Sequence, residues 1–358
     1  MRIPHYARQL LAAMALTAVA GCGKDSTAPD APFDPAGTSS DIDALEASFD
    51  SPATAGFAAA AGAIGDVLGE SPAAAAVRAM PTKALIAGGK PGAGHYAATV
   101  AKVYARPSGA ITPSLSTAAA ILDEHLGVTF TRDPETLEYG PSDLTGAPED
   151  GVRFIVYAVN PISGAVIDPL VEVGYADIVT TESTTAATVR IELVSGGVTY
   201  LDYSVGVTGS SSQATITVSG FVSNGDDRVN FDLDTHLNLS ETSVAVDYTL
   251  TVPTRGGFRI DFEGDYTEGG SVTSTLEARG PHGSVSISGT QTTTTATFDV
   301  EVNGDLFATI TTSETGPPVI TGADGEPLTE AELQALEEVF AIFLQGFLFF
   351  GDLMIPVG

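Results

Sequence analysis

From residue 229 to residue 266 the chain alternates apolar and polar residues with a period of two. Val229, Phe231, Leu233 and Leu237 fall on one side, and Asn230, Asp232, Asp234, His236 and Asn238 on the other. Successive side chains of an extended chain point to opposite faces, so the pattern predicts a strand with one dry and one wet face. Val244, Val246, Tyr248, Leu250 and Val252 predict the next strand, and Phe258, Ile260, Phe262 and Tyr266 the one after. Similar runs occupy 152–159, 171–179, 187–194, 198–207, 214–222, 272–278, 284–289, 296–302 and 306–312, with two more candidates around Phe130 and Tyr139. Gly196-Gly197, Asn224-Gly225, Gly256-Gly257, His282-Gly283 and Asn303-Gly304 separate many of them, the chemistry of tight hairpins. Such short connections leave no room for crossover helices, which predicts a single antiparallel meander over 127–316.

On either side of this region the period changes. Phe57, Ile64, Val67 and Leu68 share one side of an Ala-rich helix that Gly69 and Pro72 end, and Ser40 followed by Asp43 is placed to cap an earlier helix through Leu45 and Phe49. The remainder of the Ala-rich region, 41–126, is mixed, with a Gly-rich turn at 88–94 and a short helix over 117–126 closed by Gly127. The last section, 317–358, is a linker and a helix. Thr329 and Glu332 form a capping box, and Leu333, Leu336, Val339, Phe340, Phe343, Leu344, Phe347 and Leu348 follow at helical spacing. Residues 339–350 are apolar nearly all round yet too few to cross a bilayer, so this helix is expected inside protein. A curved, half-barrel or barrel-like meander whose dry face wraps the helix satisfies both elements. The expected fold is therefore mainly β with helices (α+β).

The first 40 residues belong to neither pattern. Arg2 and Arg8 precede an apolar run at 10–20 and then small residues, the layout of an export signal and too short for a membrane-spanning helix. Val19-Ala20-Gly21-Cys22 resembles the lipobox of bacterial lipoproteins, where a diacylglycerol thioether forms on the cysteine before signal peptidase II cuts in front of it. The resemblance covers this leader alone. It implies a signal peptide at 1–21, lipid attachment at Cys22, no cofactor beyond those covalent acyl groups, and residence in the cell envelope. Gly23 in place of Asp implies sorting to the outer membrane. Residues 22–40, rich in Gly, Ser, Thr, Pro and Asp, read as a flexible tether.

Charge narrows the partners. The 358 residues hold 15 Lys and Arg against 45 Asp and Glu, and loss of Arg2 and Arg8 with the leader leaves 13, a formal charge of −32. Such a body repels phosphate backbones and anionic head groups, which excludes nucleic acid as a partner and makes membrane attachment covalent or apolar. One cysteine permits no internal disulfide.

Candidate chemistry is sparse. His95, His125, His236 and His282 show no ligand spacing, and Gly88-Gly89-Lys90 lacks the spacing of a phosphate loop. The threonines at 292–295 fit a β edge or turn, and Asp324-Gly325-Glu326 lacks the preceding acids of a calcium loop. No catalytic or metal-binding residue is nominated. The leading reading is a non-enzymatic carrier module, with a structural or interaction lipoprotein as the alternative. In one, a trough between sheet and helix, lined by Phe340, Phe343 and Phe347, carries an acyl chain or other apolar ligand, an architecture similar to the half-barrel lipoprotein carriers of the outer-membrane sorting pathway. In the other, the core is full and the acidic exterior meets other envelope proteins. A transmembrane barrel would leave the apolar helix in a polar lumen, and an enzyme lacks a gathered set of groups.

Overall fold

The computed structural model describes residues 34–69, 71–78 and 121–329, apart from 184–185, 211, 239, 242, 268–269, 293–294 and 314–315 in turns. Among the described residues three helices precede the sheet, each with proline as its first residue: α1 (Pro35–Ala47), α2 (Pro52–Leu68) and α3 (Pro72–Arg78). Proline suits this position because its missing N–H has no partner to lose and its φ is preset. Ser51 caps α2, accepting from the Thr54 N–H at 3.0 Å while the Ser51 N–H donates to the Thr54 hydroxyl at 3.2 Å. Ser71 caps α3 through the Ala74 N–H at 3.1 Å. The first helix therefore starts at Pro35 and not at Ser40, which lies exposed within it. Asp34 opens it, its carbonyl accepting the Thr38 N–H at 3.0 Å.

Fifteen strands follow. The first five are β1 (Thr129–Arg132), β2 (Tyr139–Ser142), β3 (Gly151–Tyr157), β4 (Glu172–Glu182) and β5 (Ala186–Ser195). Then come β6 (Val198–Gly209), β7 (Gln213–Ser223), β8 (Arg228–Asn238), β9 (Ser243–Val252) and β10 (Phe258–Thr267). The last are β11 (Val272–Gly280), β12 (Gly283–Gln291), β13 (Thr295–Val302), β14 (Asp305–Ser313) and β15 (Gly316–Gly322). They form one open sheet in which β15 to β3 lie in sequence order, followed by β1 and then β2 at the edge.

Two features depart from the expected antiparallel meander. β1 runs parallel to β3, with Thr129 opposite Arg153 and Phe130 opposite Phe154, so the sheet is mixed. Here β2 does the work of a crossover helix: it returns as the outer edge, and residues 143–150 carry the chain past the end of β1 so that β3 enters beside it. β15 lies beyond the expected boundary at 316, disguised by Pro317 and Pro318 as linker. Proline is tolerated there because an edge strand has N–H groups that pair with nothing. Pro141 on the opposite edge strand, β2, blunts that edge in the same way. With β2 and β15 at separate edges the sheet is not a closed barrel. The short helix expected over 117–126 reduces to a single 3-10 turn, Asp123–His125, followed by Gly127 at φ +75°; 117–120 lie outside the described residues.

The dry face is knitted in register. Phe130, Phe154, Ala176, Leu193, Leu201, Val222 and Val229 stand opposite one another across β1 and β3 to β8, all buried. α2 lies over β2 to β6 and α3 over β5, and Phe57, Ile64 and Val77 are 0 % exposed beneath them. Each such side chain contributes at most about 1.5–3 kcal/mol. Gly56 makes the close approach possible, because a Cβ there would lie 2.5 Å from the Tyr157 carbonyl oxygen. The N-terminal helices thus cover part of the face that the sequence had assigned to the C-terminal helix. Farther along, Phe262, Ile287, Phe298 and Ile310 are buried too. The C-terminal helix itself, with Phe340, Phe343 and Phe347, lies outside the described residues, as do Cys22, His95 and the Gly88–Gly94 loop.

Candidate functional site

Among the described residues nothing packs over the other face of the sheet, and its rows are continuous. Thr181, Thr188, Gly206, Thr217, Asp234 and Asp247 stand opposite one another from β4 to β9. Glu263, Thr275, Ser288, Asp299, Thr309 and Thr321 continue the same row from β10 to β15. At about 4.8 Å per strand the row is roughly 50 Å wide. It holds no Lys or Arg.

Its centre is acidic. Asp247 lies directly across from both Asp234 and Glu263, an arrangement of like charges that opposes pairing. Asp232, beside them on β8, has its carboxyl pKa pushed up, first by burial and then by Asp234. Cations occupy flanking rows. Arg259 and Arg279 converge on Asp261 at 2.6 and 3.0 Å, and Arg190 holds Asp202 at 2.8 Å. Arg153 grips Asp177 through two bonds of 2.7 Å while its guanidinium lies 3.6 Å from the Tyr175 ring centre. The Asp177 bond raises the Arg153 pKa further.

Among the described residues no gathered catalytic set accompanies this surface. A hollow of about 300 Å³ at the far ends of β7 to β10 is lined by Gln213, Thr215, His236, Asn238, Ser243 and Asp265 among others. Inside it the Thr215 hydroxyl and His236 Nδ1 are 3.2 Å apart on an exposed face, a contact that lacks the third, orienting group of an activated nucleophile. His125 packs edge-on against Phe130 at 5.3 Å, and His282 sits near Asp34 and Asp41, so the described histidines are dispersed. Thr292 and Thr295 bond to each other across the β12–β13 turn. Asp324 accepts the Glu326 N–H at 2.9 Å in a turn where Gly325 has φ +82°. Among the described residues no three His, Cys, Asp or Glu side chains are grouped to hold a metal ion, and no helix is long and apolar enough to cross a membrane.

No known family model, curated protein or solved structure matches this chain. Its own residues carry the functional argument.

One polar contact escaped sequence reading altogether. Asp41 on α1 is 4 % exposed, and its Oδ2 lies 3.9 Å from His282 Nε2, with Asp34 Oδ2 3.7 Å from Nδ1 of the same ring. Burial pushes the Asp41 pKa up, partly offset by the charges of His282 and Arg255. Gly37 presses against that imidazole, where a Cβ would meet the ring at 2.4 Å. Residues so distant in the chain share no periodic signal.

Proposed function

We propose that this chain is a lipid-anchored, non-enzymatic protein of the bacterial cell envelope, held in the outer membrane through Cys22, that works by presenting its wet sheet face to other envelope components. The observation that carries the reading is the contrast between the faces. Phe154, Ile178 and Ile191 on the dry side are completely buried, while the other side offers a broad Thr, Ser and Asp surface with an acidic centre. A surface of that kind selects partners by complementary charge, favouring basic patches and rejecting anionic ones. The anchor rests on Arg2, Arg8, the apolar run at 10–20 and Val19-Ala20-Gly21-Cys22. Acyl chains contribute about 0.8 kcal/mol per buried CH₂, so several chains on one cysteine hold firmly.

One observation favours a second reading, the apolar carrier. The dry-face row Thr235, Val246, Gly264, Ser274 and Gly289 crosses β8 to β12 with little side-chain bulk of its own, the stretch of the dry face where an acyl chain would meet least resistance beside Phe340, Phe343 and Phe347. Native mass spectrometry and lipid extraction of the body produced without its anchor separate the two. A filled core carries nothing. An acyl chain retained through repeated preparations would overturn the first reading in favour of the second.

A further inference from the structure

The two ends of the sheet differ. Turns 133–138, 158–171, 196–197, 224–227, 253–257, 281–282 and 303–304 all fall at one end, because each antiparallel return brings the chain back to it and β1 runs alongside β3. In or beside these turns stand Leu137, Ile162, Ile167, Val171, Val198 and Leu306, large apolar side chains 38–95 % exposed. Single exposed apolar residues are ordinary. Five of the six stand in or beside turns between β1 and β6, with Leu306 eight strands farther along, against Leu122, Leu126 and Leu144 at the opposite end; a grouping of this kind marks binding to protein or membrane.

Ile162 is the extreme case at 95 % exposed. The Asn160 side chain accepts the N–H groups of Ile162 and Ser163 at 2.9 and 3.1 Å, and Gly164 at φ +68° completes a tight turn that holds the isoleucine at its tip.

The chain enters the body at the same end. The Asp34 N–H donates to the His282 carbonyl at 2.8 Å, and α1 runs along the strand ends to Asn224, whose Nδ2 donates to the Ala47 carbonyl at 2.8 Å. Asp34 is 12 residues after Cys22, a reach of at most about 40 Å. Arg228, Arg255, Arg259 and Arg279 cluster at this end as well, the last three with side chains 37–49 % exposed.

We infer that this end of the sheet is a membrane-docking surface, whose apolar tips, led by Ile162, enter the interfacial region of the bilayer that Cys22 is anchored in. The inference rests on the lipid-anchor reading. Arginine suits the boundary, since its stem can lie against apolar surface while its head stays wet. The body then stands with its strands rising from the membrane and the acidic centre of its wet face turned sideways, while Asp133, Glu135, Asp168 and Asp305, exposed in the docking turns themselves, favour uncharged over anionic head groups.

Because the chain has no tryptophan, single reporters decide the orientation. Full-length lipidated protein carrying Ile162→Trp, Val198→Trp or, at the opposite end, Leu144→Trp is inserted into phosphatidylethanolamine–phosphatidylglycerol vesicles containing brominated phosphatidylcholine, then floated. Protein that floats, with emission blue-shifted and several-fold more strongly quenched in Ile162→Trp and Val198→Trp than in Leu144→Trp, supports docking. Floating protein with equal or reversed quenching overturns the docking surface and leaves the anchor standing. Failure to float overturns the anchor and the docking surface together.

Discussion

The Tyr203 hydroxyl donates a 2.8 Å hydrogen bond to the Ala76 carbonyl, tying strand β6 to helix α3 through a side chain that is fully buried. Burial drives the phenol pKa far above its ordinary value, so it remains a donor at any working pH. Its ring also lies 6.2 Å from that of Phe231, across Gly220, which stands opposite both residues.

Tyr203→Phe keeps the ring and removes the donor. Leaving the Ala76 carbonyl unpaired in the core is expected to cost about 1–3 kcal/mol, read as a lowered midpoint in urea unfolding at unchanged slope. An unchanged midpoint would mean that α3 is held by apolar contact alone.

Two glycines on α2 predict opposite outcomes. Gly56→Ala would drive a methyl to 2.5 Å from the Tyr157 carbonyl oxygen and 2.9 Å from Val156 Cγ1, a misfit expected to destabilise by about 1–3 kcal/mol. Gly62→Ala meets nothing within 4 Å, and alanine there should stabilise by roughly 0.5–1 kcal/mol through lower unfolded-chain entropy. Thermal melts of the pair check the docking of α2; shifts of the same sign would contradict it.

Asp41 makes stability depend on pH in a defined direction. Its folded pKa is raised above the ordinary 3.8 by burial, so its contribution is full below the unfolded pKa and is lost as pH rises through the folded pKa. Asp41→Asn removes that loss. The variant is expected to melt higher than wild type at pH 7, with the gap closing below about pH 4. A variant less stable at pH 7 would show that His282 and Arg255 outweigh the burial.

On the lipid-anchor reading, Cys22→Ser should leave the chain uncleaved or release it from the membrane, because apolar tips alone would hold so acidic a body only weakly. Labelling with a fatty-acid analogue followed by fractionation reads the result. Continued labelling in the membrane fraction would end the lipoprotein reading.

Removing residues from Thr329 onward tests the expected C-terminal helix. The shortened chain should melt lower and aggregate, since Phe262, Phe298 and Ile310 lie on the dry face beyond the strands that α2 and α3 cover. Equal melting temperatures would make that segment an accessory.

Alternation of apolar and polar residues is a property of one strand, and it made β3 to β14 legible without any knowledge of their neighbours. Helix starts are local too, although the Asp34-Pro35 and Ser71-Pro72 pairs are quieter signals than the Ser40 and Asp43 spacing that misplaced the start of α1. The wet face of each strand could likewise be read position by position. Pairing is different. Whether β1 lies parallel to β3, or β15 joins at all behind Pro317 and Pro318, depends on which edge is free when the chain returns. The continuous row from Thr181 to Thr321, polar at every strand but β6, where Gly206 stands, exists only because the turns hold twelve strands in step. Likewise, only packing decided that α2 covers β2 to β6, where Gly56 lets it touch the strand backbone, and that Asp34 joins His282 at the end where Ile162 protrudes. The chain sequence determined most of its elements because those depend on neighbouring residues; their mutual arrangement, and the surfaces it creates, came from contacts between residues far apart in the chain.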